Sequence, residues 1–570
     1  MEKKRVKSKL LDVVIAFGSV FLIAGILLWK CSIMYQTPDD QYIMSILSGK
    51  FLGTPSAYVI YIKYPLVYIL AKLYKIFPTV NVYGTALLLF QIIAIGILSF
   101  YIIEKQDKIS RKLMILLGIY SIVGCCWMGN LLSITYTTTA AVTGAAAVVV
   151  YTLGKNRWID YVTAIILCFI TFNLRSAVFI MILPICGVFW LDKMLREKEW
   201  KKQFIWLAGI GCIIGGTFFI NMQAYGSEVW KNYLQYNQAR TQLYDYHQDV
   251  IENYDKYEKV YQKLGISQKE NAVLLSKNWS LCDKKLYEKM GDLAKQAIHK
   301  LGFIEQCKNT VKKVIVSGFL DNKGMLLFSA IFWMAAISMA VKKKEKHILL
   351  LEGVQVVLFA VLWFYLGYKG RIIPRVAHSL LLLQMVTPVI FVLKLAEAGI
   401  RKITEKNAKL LKGIMLVLLL GILVFDVRLI KKIDRVNKEN TSGDTYHQIE
   451  NYCREHEGNF YFADVTSIAA CNYKYTFWED NRYVNNIMLG DWFANSPVYD
   501  EKLKKEHITE VSASLLKNRN VYLMVREVEQ TDYFDVVSKE VKLVEKDRTN
   551  MKECAYVCYQ LEGDSIPEKQ

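Results

Sequence analysis

Apolar runs of about 17 to 25 residues, each long enough to cross ~30 Å of hydrocarbon as a helix, alternate with short polar stretches as far as Val427 and then stop. They cover residues 11–29, 83–103, 113–128, 131–153, 159–173, 176–191, 204–221, 324–341, 348–367, 376–395 and 411–427, which predicts about eleven spans. The first follows the basic stretch MEKKRVKSKL, but no small-residue cleavage pattern comes after Trp29, so it reads as a retained span and not a signal peptide. Residues 58–77, YVIYIKYPLVYILAKLYKIF, are also apolar enough to cross. Their three lysines, Lys63, Lys72 and Lys75, and five tyrosines suit a helix lying in the headgroup region instead.

Charge supplies the orientation. The chain carries 71 Lys and Arg against 52 Asp and Glu, a net +19. In a soluble protein that excess would point to nucleic acid, but many of these cations sit in short loops between spans, and no nucleic-acid partner is expected. With the N-terminus inside, EKQDKISRK (104–112), GKNRW (154–158), the 192–203 loop, KKKEKH (342–347) and the 396–410 loop all face the cytoplasm. Residues 30–82, 222–323 and 428–570 then lie outside, on a multi-pass protein of the plasma membrane. Counting 58–77 as a crossing would invert the basic loops. Three basic elements still break the rule: Arg175 between two spans, KGRIIPR (369–375) and RLIKKIDR (428–435). The last opens a long outer segment, where the rule has little force. Fixed positive charge at the other two is satisfied either by lipid headgroups or by an anionic ligand.

Composition agrees with this segregation: 53% hydrophobic residues coexist with 22% charged ones. The 12 cysteines show no CxxC or Cys/His metal spacing. After Val427, HQIENYCREH reads as an amphipathic helix, and FYFADV, VYLMV, VVSKEVKLV and AYVCYQL read as strands, a small extracytoplasmic α/β domain with no Gly-rich phosphate loop. The 222–323 loop is helical in pattern and too long for a connector. Its Arg240 and Asp245 read as a solvated helix face. LGDWFANSP (489–497), a Trp-bearing loop, reads as a domain-packing loop, with contact to a glycan or the membrane surface as its alternative.

Chemistry enters with Asp39 and Asp40, directly after the first span. Thr37 as N-cap, Pro38 at the first helical position and two acids in the first turn also make a well-formed helix start, which needs no catalytic role. Yet the pair lies beside a lipid surface, on the same face as the rule-breaking arginines. A carboxylate there can take a proton from an acceptor hydroxyl, while Arg or Lys stabilises charge building on a departing lipid phosphate. In LGYKGRIIPRVAHS, Arg371 and Arg375 suit such a phosphate because a guanidinium fork holds two of its oxygens; His378 reads as structural.

The layout resembles the GT-C superfamily of membrane glycosyltransferases, which includes the protein O-mannosyltransferases and the lipid A aminoarabinose transferases. The resemblance rests on Asp39-Asp40 after the first span, on Tyr42 and SILSGKF, on Lys63-Tyr64-Pro65-Leu66, which is similar to a Lys-Pro-Pro-Leu stretch of that superfamily, and on FITFNLRSAVFIMILP with Arg175 and Pro184. It covers roughly residues 10–221. A single proline stands where the family often has two, and no Trp-Trp-Asp motif occurs, which argues against the oligosaccharyltransferase branch. The resemblance implies a GT-C-like membrane domain (1–427), an outer α/β domain (428–570) and a polyprenyl-phosphate sugar donor. It also implies transfer with inversion, Asp39 or Asp40 as base, and Arg371, Arg375, Arg175 and Lys63 near the donor phosphate. The acceptor is a glycan, lipid or protein. No cofactor is required, no metal ligand is assigned, and a divalent cation is compatible with paired acids.

Two other readings use the same features: a polysaccharide polymerase or ligase working through the Arg371/Arg375 loop and the 222–323 segment, and a lipid-linked sugar transporter or flippase. Acids in an outer loop, and not at mid-membrane depth, weigh against transport, and a further reading is a non-enzymatic assembly or sensor protein whose C-terminal domain binds a partner. The span count itself is testable. Lys344→Cys, in a background cleared of reactive thiols, is expected to react with an impermeant maleimide only from the cytoplasmic side; labelling from outside alone would overturn the topology.

Overall fold

The computed structural model describes all residues except 1, 197–199, 299–301, 398–404, 442–444, 471–475, 478–479, 530, 537–541, 552–553 and 563–570. Among the described residues, nine helices are long and apolar enough to cross a membrane. Trp158–Leu174 is a shorter apolar helix, and the 411–427 run lies within the helix Glu405–Thr441. The protein is therefore a polytopic helical membrane protein with a C-terminal mixed α/β region.

Several boundaries differ from the hydropathy reading. The span expected from residue 131 starts instead at Tyr136, because Ser133–Ile134 leaves the helical path to pair in parallel with Met34–Tyr35. The span expected at 324–341 is the end of a 41-residue helical stretch, Phe303–Lys343, interrupted by a π-helical turn at Val314–Phe319. At 1.5 Å per residue that is about 60 Å, twice the hydrocarbon thickness, so its first half runs past the apolar layer or along it. The last span likewise continues beyond 427, and Asp434 and Asn437 tie it back to the residue 32 turn: Ser32 N–H donates to Asp434 at 2.8 Å, and Asn437 donates to the Ser32 carbonyl at 2.9 Å. Within 58–77 only Tyr64–Ile76 is helical. Thirteen residues make about 20 Å, too short to cross, and the helix buries Leu66, Val67, Leu70, Ala71 and Tyr74 while exposing Tyr68, Ile69, Lys72 and Lys75.

The centre of the membrane bundle is the helix Tyr136–Leu153, buried along all 18 residues. Its sequence, YTTTAAVTGAAAVVVYTL, is rich in small side chains, which lets the helices Val82–Ile103, Trp158–Leu174, Ser176–Arg196 and Pro374–Glu397 approach it from all sides. Gly144 marks the closest approach: a Cβ there would lie 2.0 Å from Ile182 Cδ1 and 3.2 Å from Thr171 Cγ2. Charges at the ends assigned to the cytoplasm are paired, as in Lys112 with Asp12, Arg157 with Asp160 at 2.8 Å and His347 with Asp192 at 2.6 Å.

The C-terminal region holds a five-stranded sheet made of β1 (Phe460–Ala463), β2 (Asn486–Met488), β3 (Val521–Arg526), β4 (Lys542–Asn550) and β5 (Ala555–Glu562). The order is β2-β1-β3-β5-β4, with β1 parallel to β2 and β3, and β5 antiparallel to β3 and β4. HQIENYCREH falls in the helix Thr445–Glu455, as its amphipathic pattern predicts. β4 begins later than the VVSKEVKLV run, part of which lies outside the described residues, and three-residue β2 had no periodic signal to find.

The central-helix packing makes a stability prediction. Gly144→Leu forces side chains off their rotamers in a fully buried layer and is expected to cost about 1–3 kcal/mol. Thermal unfolding of the protein in nanodiscs would show it as a lowered Tm, while Gly215→Ala, where a Cβ meets nothing within 4 Å, leaves Tm unchanged.

Candidate functional site

The helix Pro38–Ser48 starts where Thr37 takes extended backbone (φ −136°, ψ 151°) and ends at Gly49, whose φ of 90° only glycine adopts freely. Thr37 does not cap it in the expected way. Instead of accepting a backbone N–H, its hydroxyl donates to Asp40 Oδ2 at 2.7 Å. Asp40 Oδ1 accepts from the Tyr83 hydroxyl at 2.7 Å and from the Tyr136 N–H at 3.1 Å. The parallel pairing of Met34–Tyr35 with Ser133–Ile134, extended by Gln36 N–H to the Ile134 carbonyl at 2.8 Å, brings Tyr136 to this place. Asp40 is fully buried, and burial pushes its carboxyl up, with the Thr37 and Tyr83 hydrogen bonds opposing.

With Asp40 held inward, Asp39 lines a cavity of about 370 Å³. Tyr61 of the same outer loop lines it too. Arg240, Asp245 and Tyr246 come from the 222–323 loop, Gly370, Arg371, Ile373 and Arg375 from the turn before the helix Pro374–Glu397, and Asp491 and Trp492 from the C-terminal domain. Arg371 lies 3.8 Å from the Asp245 carboxylate, with its guanidinium 4.8 Å above the Tyr246 ring. A π-helical turn, Gln242–Tyr246, continues the helix Glu228–Thr241 and carries both partners. Arg240 is buried, and its Nε donates to Asn237 Oδ1 at 2.9 Å.

The 222–323 loop also holds the C-terminal contribution in place. Ser280 N–H donates to the Leu489 carbonyl at 3.0 Å, and the Tyr233 hydroxyl donates to the Trp492 carbonyl. At Gly490 a Cβ would lie 1.8 Å from the Lys277 carbonyl oxygen, so only glycine fits. Asp491 then sits at φ 78°, a left-handed conformation that costs a non-glycine residue about 1–2 kcal/mol.

Burial pushes the Asp39 carboxyl up to about 7; Asp491 and Asp40 push in the same direction, and Arg375 and Arg240 oppose them. Asp491 is likewise raised by burial against the pull of Arg240 and Lys277. The cavity therefore combines a carboxyl that titrates near neutrality with guanidiniums able to hold a phosphate, a set suited to proton transfer beside an anionic leaving group.

Of the six expected site residues, Asp39, Arg371 and Arg375 share the cavity wall. Asp40 stands behind it as the anchor of the helix. Lys63 and Arg175 flank it: Lys63 N–H donates to the Asn173 carbonyl at 2.8 Å, burial and the Arg175 charge depress the Lys63 ammonium, and the Arg175 guanidinium lies 5.5 Å from the Tyr136 ring. His378 pairs with Asn130 at 3.2 Å inside the bundle, as its reading as a structural residue predicts. Arg240 is not on a solvated face but buried among Tyr61 of the first loop, Tyr287 of its own loop and Asp491 of the C-terminal domain, whereas Asp245 is exposed at the cavity rim. The 489–497 loop does pack the domains, with Phe493 4.6 Å from Tyr42 and 5.4 Å from Phe51, but it also delivers Asp491 and Trp492 to the cavity. The Gly-Asp-Trp turn was the signal in the sequence. No group of three or more His, Cys, Asp or Glu that could hold a metal ion occurs among the described residues.

Comparisons with protein families, with curated proteins and with solved structures return no match for this chain. The two neighbouring acids make opposite predictions. Asp40→Ala leaves the Tyr83 hydroxyl and Tyr136 N–H buried and unpaired, at about 1–3 kcal/mol each, and is expected to lower Tm sharply. Asp39→Asn is expected to leave Tm within a degree or two of the parent, and equal losses in both variants would contradict the division of roles.

Proposed function

We propose that the chain is an integral membrane glycosyltransferase of GT-C type. It transfers a sugar from a polyprenyl-phosphate donor to a cell-surface acceptor on the outer face of the plasma membrane. One observation carries the reading: Asp39, Arg371 and Arg375, picked out for complementary roles from parts of the chain more than 300 residues apart, line one cavity.

In this reading an acceptor oxygen attacks the anomeric carbon of the donor sugar while the bond from that carbon to the phosphate oxygen breaks. The acceptor proton passes to Asp39. The electron pair of the broken bond stays with the polyprenyl phosphate, whose added charge Arg371 and Arg375 stabilise. A single displacement inverts the anomeric centre. Asp40 is a positioning residue that fixes the helix carrying Asp39, and Lys63 with Arg175 forms a second basic patch toward the lipid headgroups. The Arg371–Asp245 pair would open as the phosphate takes the guanidinium. No cofactor takes part, and a divalent cation between carboxylates is compatible with the site.

A polymerase or ligase acting on lipid-linked sugars is the second reading, favoured by the large loop's own contribution of Arg240 and Asp245 to the cavity. It shares the donor chemistry and differs in the acceptor, a growing glycan.

Asp39 accepts a proton only when ionised. With its carboxyl near 7, transfer is expected to rise through pH 7 and to fall below it. Arg375→Ala removes a charge that favours the ionised form, so it moves this limb to higher pH as well as slowing transfer. Asp39→Asn should lower transfer from a labelled polyprenyl-phosphate sugar by about 10²–10⁴-fold. Full transfer by that variant would sink the proposal.

A further inference from the structure

The cavity has two zones. Arg371, Asp245 and Tyr246 form one, toward the exposed rim. In the other, Arg240 and Asp491 act on each other as opposite charges, and Tyr61 meets Trp492 edge to face at 4.9 Å. Nothing in the donor chemistry uses this second zone. We infer that the Gly490–Trp492 turn, with Arg240 and Tyr61, forms the acceptor subsite, and that it takes a carbohydrate hydroxyl and not a peptide side chain. This rests on the transferase reading above.

Three features support a sugar. An aromatic ring offers a flat apolar face to the C–H side of a pyranose, and a carboxylate and a guanidinium lining the same cavity accept from and donate to its hydroxyls. Arg240 is buried and already bonded to Asn237, so its direction is fixed before a ligand arrives. The left-handed backbone of Asp491 is enforced from outside its own domain, by the Lys277 carbonyl against Gly490 and by the Tyr233 hydroxyl.

A peptide acceptor would more naturally pair with a strand edge, and the edge next to this turn is β2. The first loop packs beside that strand: the Tyr42 hydroxyl donates to Met488 Sδ at 3.2 Å, and Val484 N–H, two residues before the strand, donates to the Lys50 carbonyl at 3.4 Å. In the transfer step Asp491 moves no proton. It accepts a hydrogen bond from a hydroxyl of the acceptor, while the attacking oxygen gives its proton to Asp39 and forms the bond to the anomeric carbon as the phosphate departs.

The test uses the full-length protein in nanodiscs, a labelled polyprenyl-phosphate sugar, and envelope membranes from cells lacking the protein as acceptor. Undecaprenyl phosphate serves as the donor-site probe. Asp491→Asn and Trp492→Ala should raise the acceptor KM by about tenfold or more with smaller change in kcat, and Trp492→Phe should recover most of the loss. Both should keep undecaprenyl phosphate affinity within about twofold, whereas Arg371→Ala weakens it. Periodate treatment of the membranes should destroy acceptor activity, and protease treatment should spare it. Unchanged acceptor KM, a parallel loss of undecaprenyl phosphate binding, or acceptor activity lost to protease and not to periodate would each overturn the inference while leaving the transferase reading intact. A wild-type protein that neither binds undecaprenyl phosphate nor transfers sugar would instead remove that reading and this one with it.

Discussion

A carboxylate buried away from water must be supplied with donors, and Asp40 draws its own from three places: Thr37 beside it, the Tyr83 hydroxyl at the head of one membrane helix, and the Tyr136 N–H at the head of the central one. Each such bond to a charged group contributes about 1.5–3 kcal/mol, so the three together offset part of the desolvation cost, and burial still pushes the carboxyl up. Their geometric effect matters more than their sum. They fix the first turn of Pro38–Ser48 against the bundle, and because consecutive helical residues point about 100° apart, holding Asp40 inward turns Asp39 toward the cavity.

Everything around Asp39 follows from where that turn is placed. The outer loops and the C-terminal domain converge on it with charges of both signs: Arg240, Arg371 and Arg375 against Asp39, Asp245 and Asp491. Such a balanced set tolerates low dielectric better than a single sign would, and it leaves guanidiniums whose present partner, as with Asp245 at 3.8 Å from Arg371, is loose enough to be exchanged. At this point the loop holds backbone carbonyls of the sheet domain, by Ser280 N–H to Leu489 and the Tyr233 hydroxyl to Trp492, so the sheet domain is registered on the loop and not merely attached to it.

The sequence made the membrane architecture legible because hydrocarbon demands long apolar helices, and a run such as Val82–Ile103 has no alternative use. Arg371 and Arg375 were legible for a related reason, since they stand where the charge pattern of a membrane protein disfavours them, and Asp39 was legible as a member of an acid pair directly after the first span. Arg240 was not. On a helix rich in Tyr and Lys it resembles every other solvated cation, and it is buried among groups as far apart in the chain as Tyr61 and Asp491. Asp491 was hidden in a turn whose conformation depends on Lys277. Thr37 was found in position but not in role, because its hydroxyl turns to donate to the buried Asp40 carboxylate and no helix N–H donates to its oxygen. The break at Ser133–Ile134 is a tertiary pairing, which hydropathy averages away.

The cavity wall spans positions 39 to 492 of the chain. The ribosome delivers those positions in order, and the loop that carries Asp39 is made while most of the polypeptide is still to come. Until the Gly490 turn has been made and seated on Lys277, Asp39 borders an incomplete pocket. Assembly of the chain thus acts as its own timer: the pocket closes only on a molecule whose insertion is nearly finished, and truncated or stalled chains carry the acid without its enclosure.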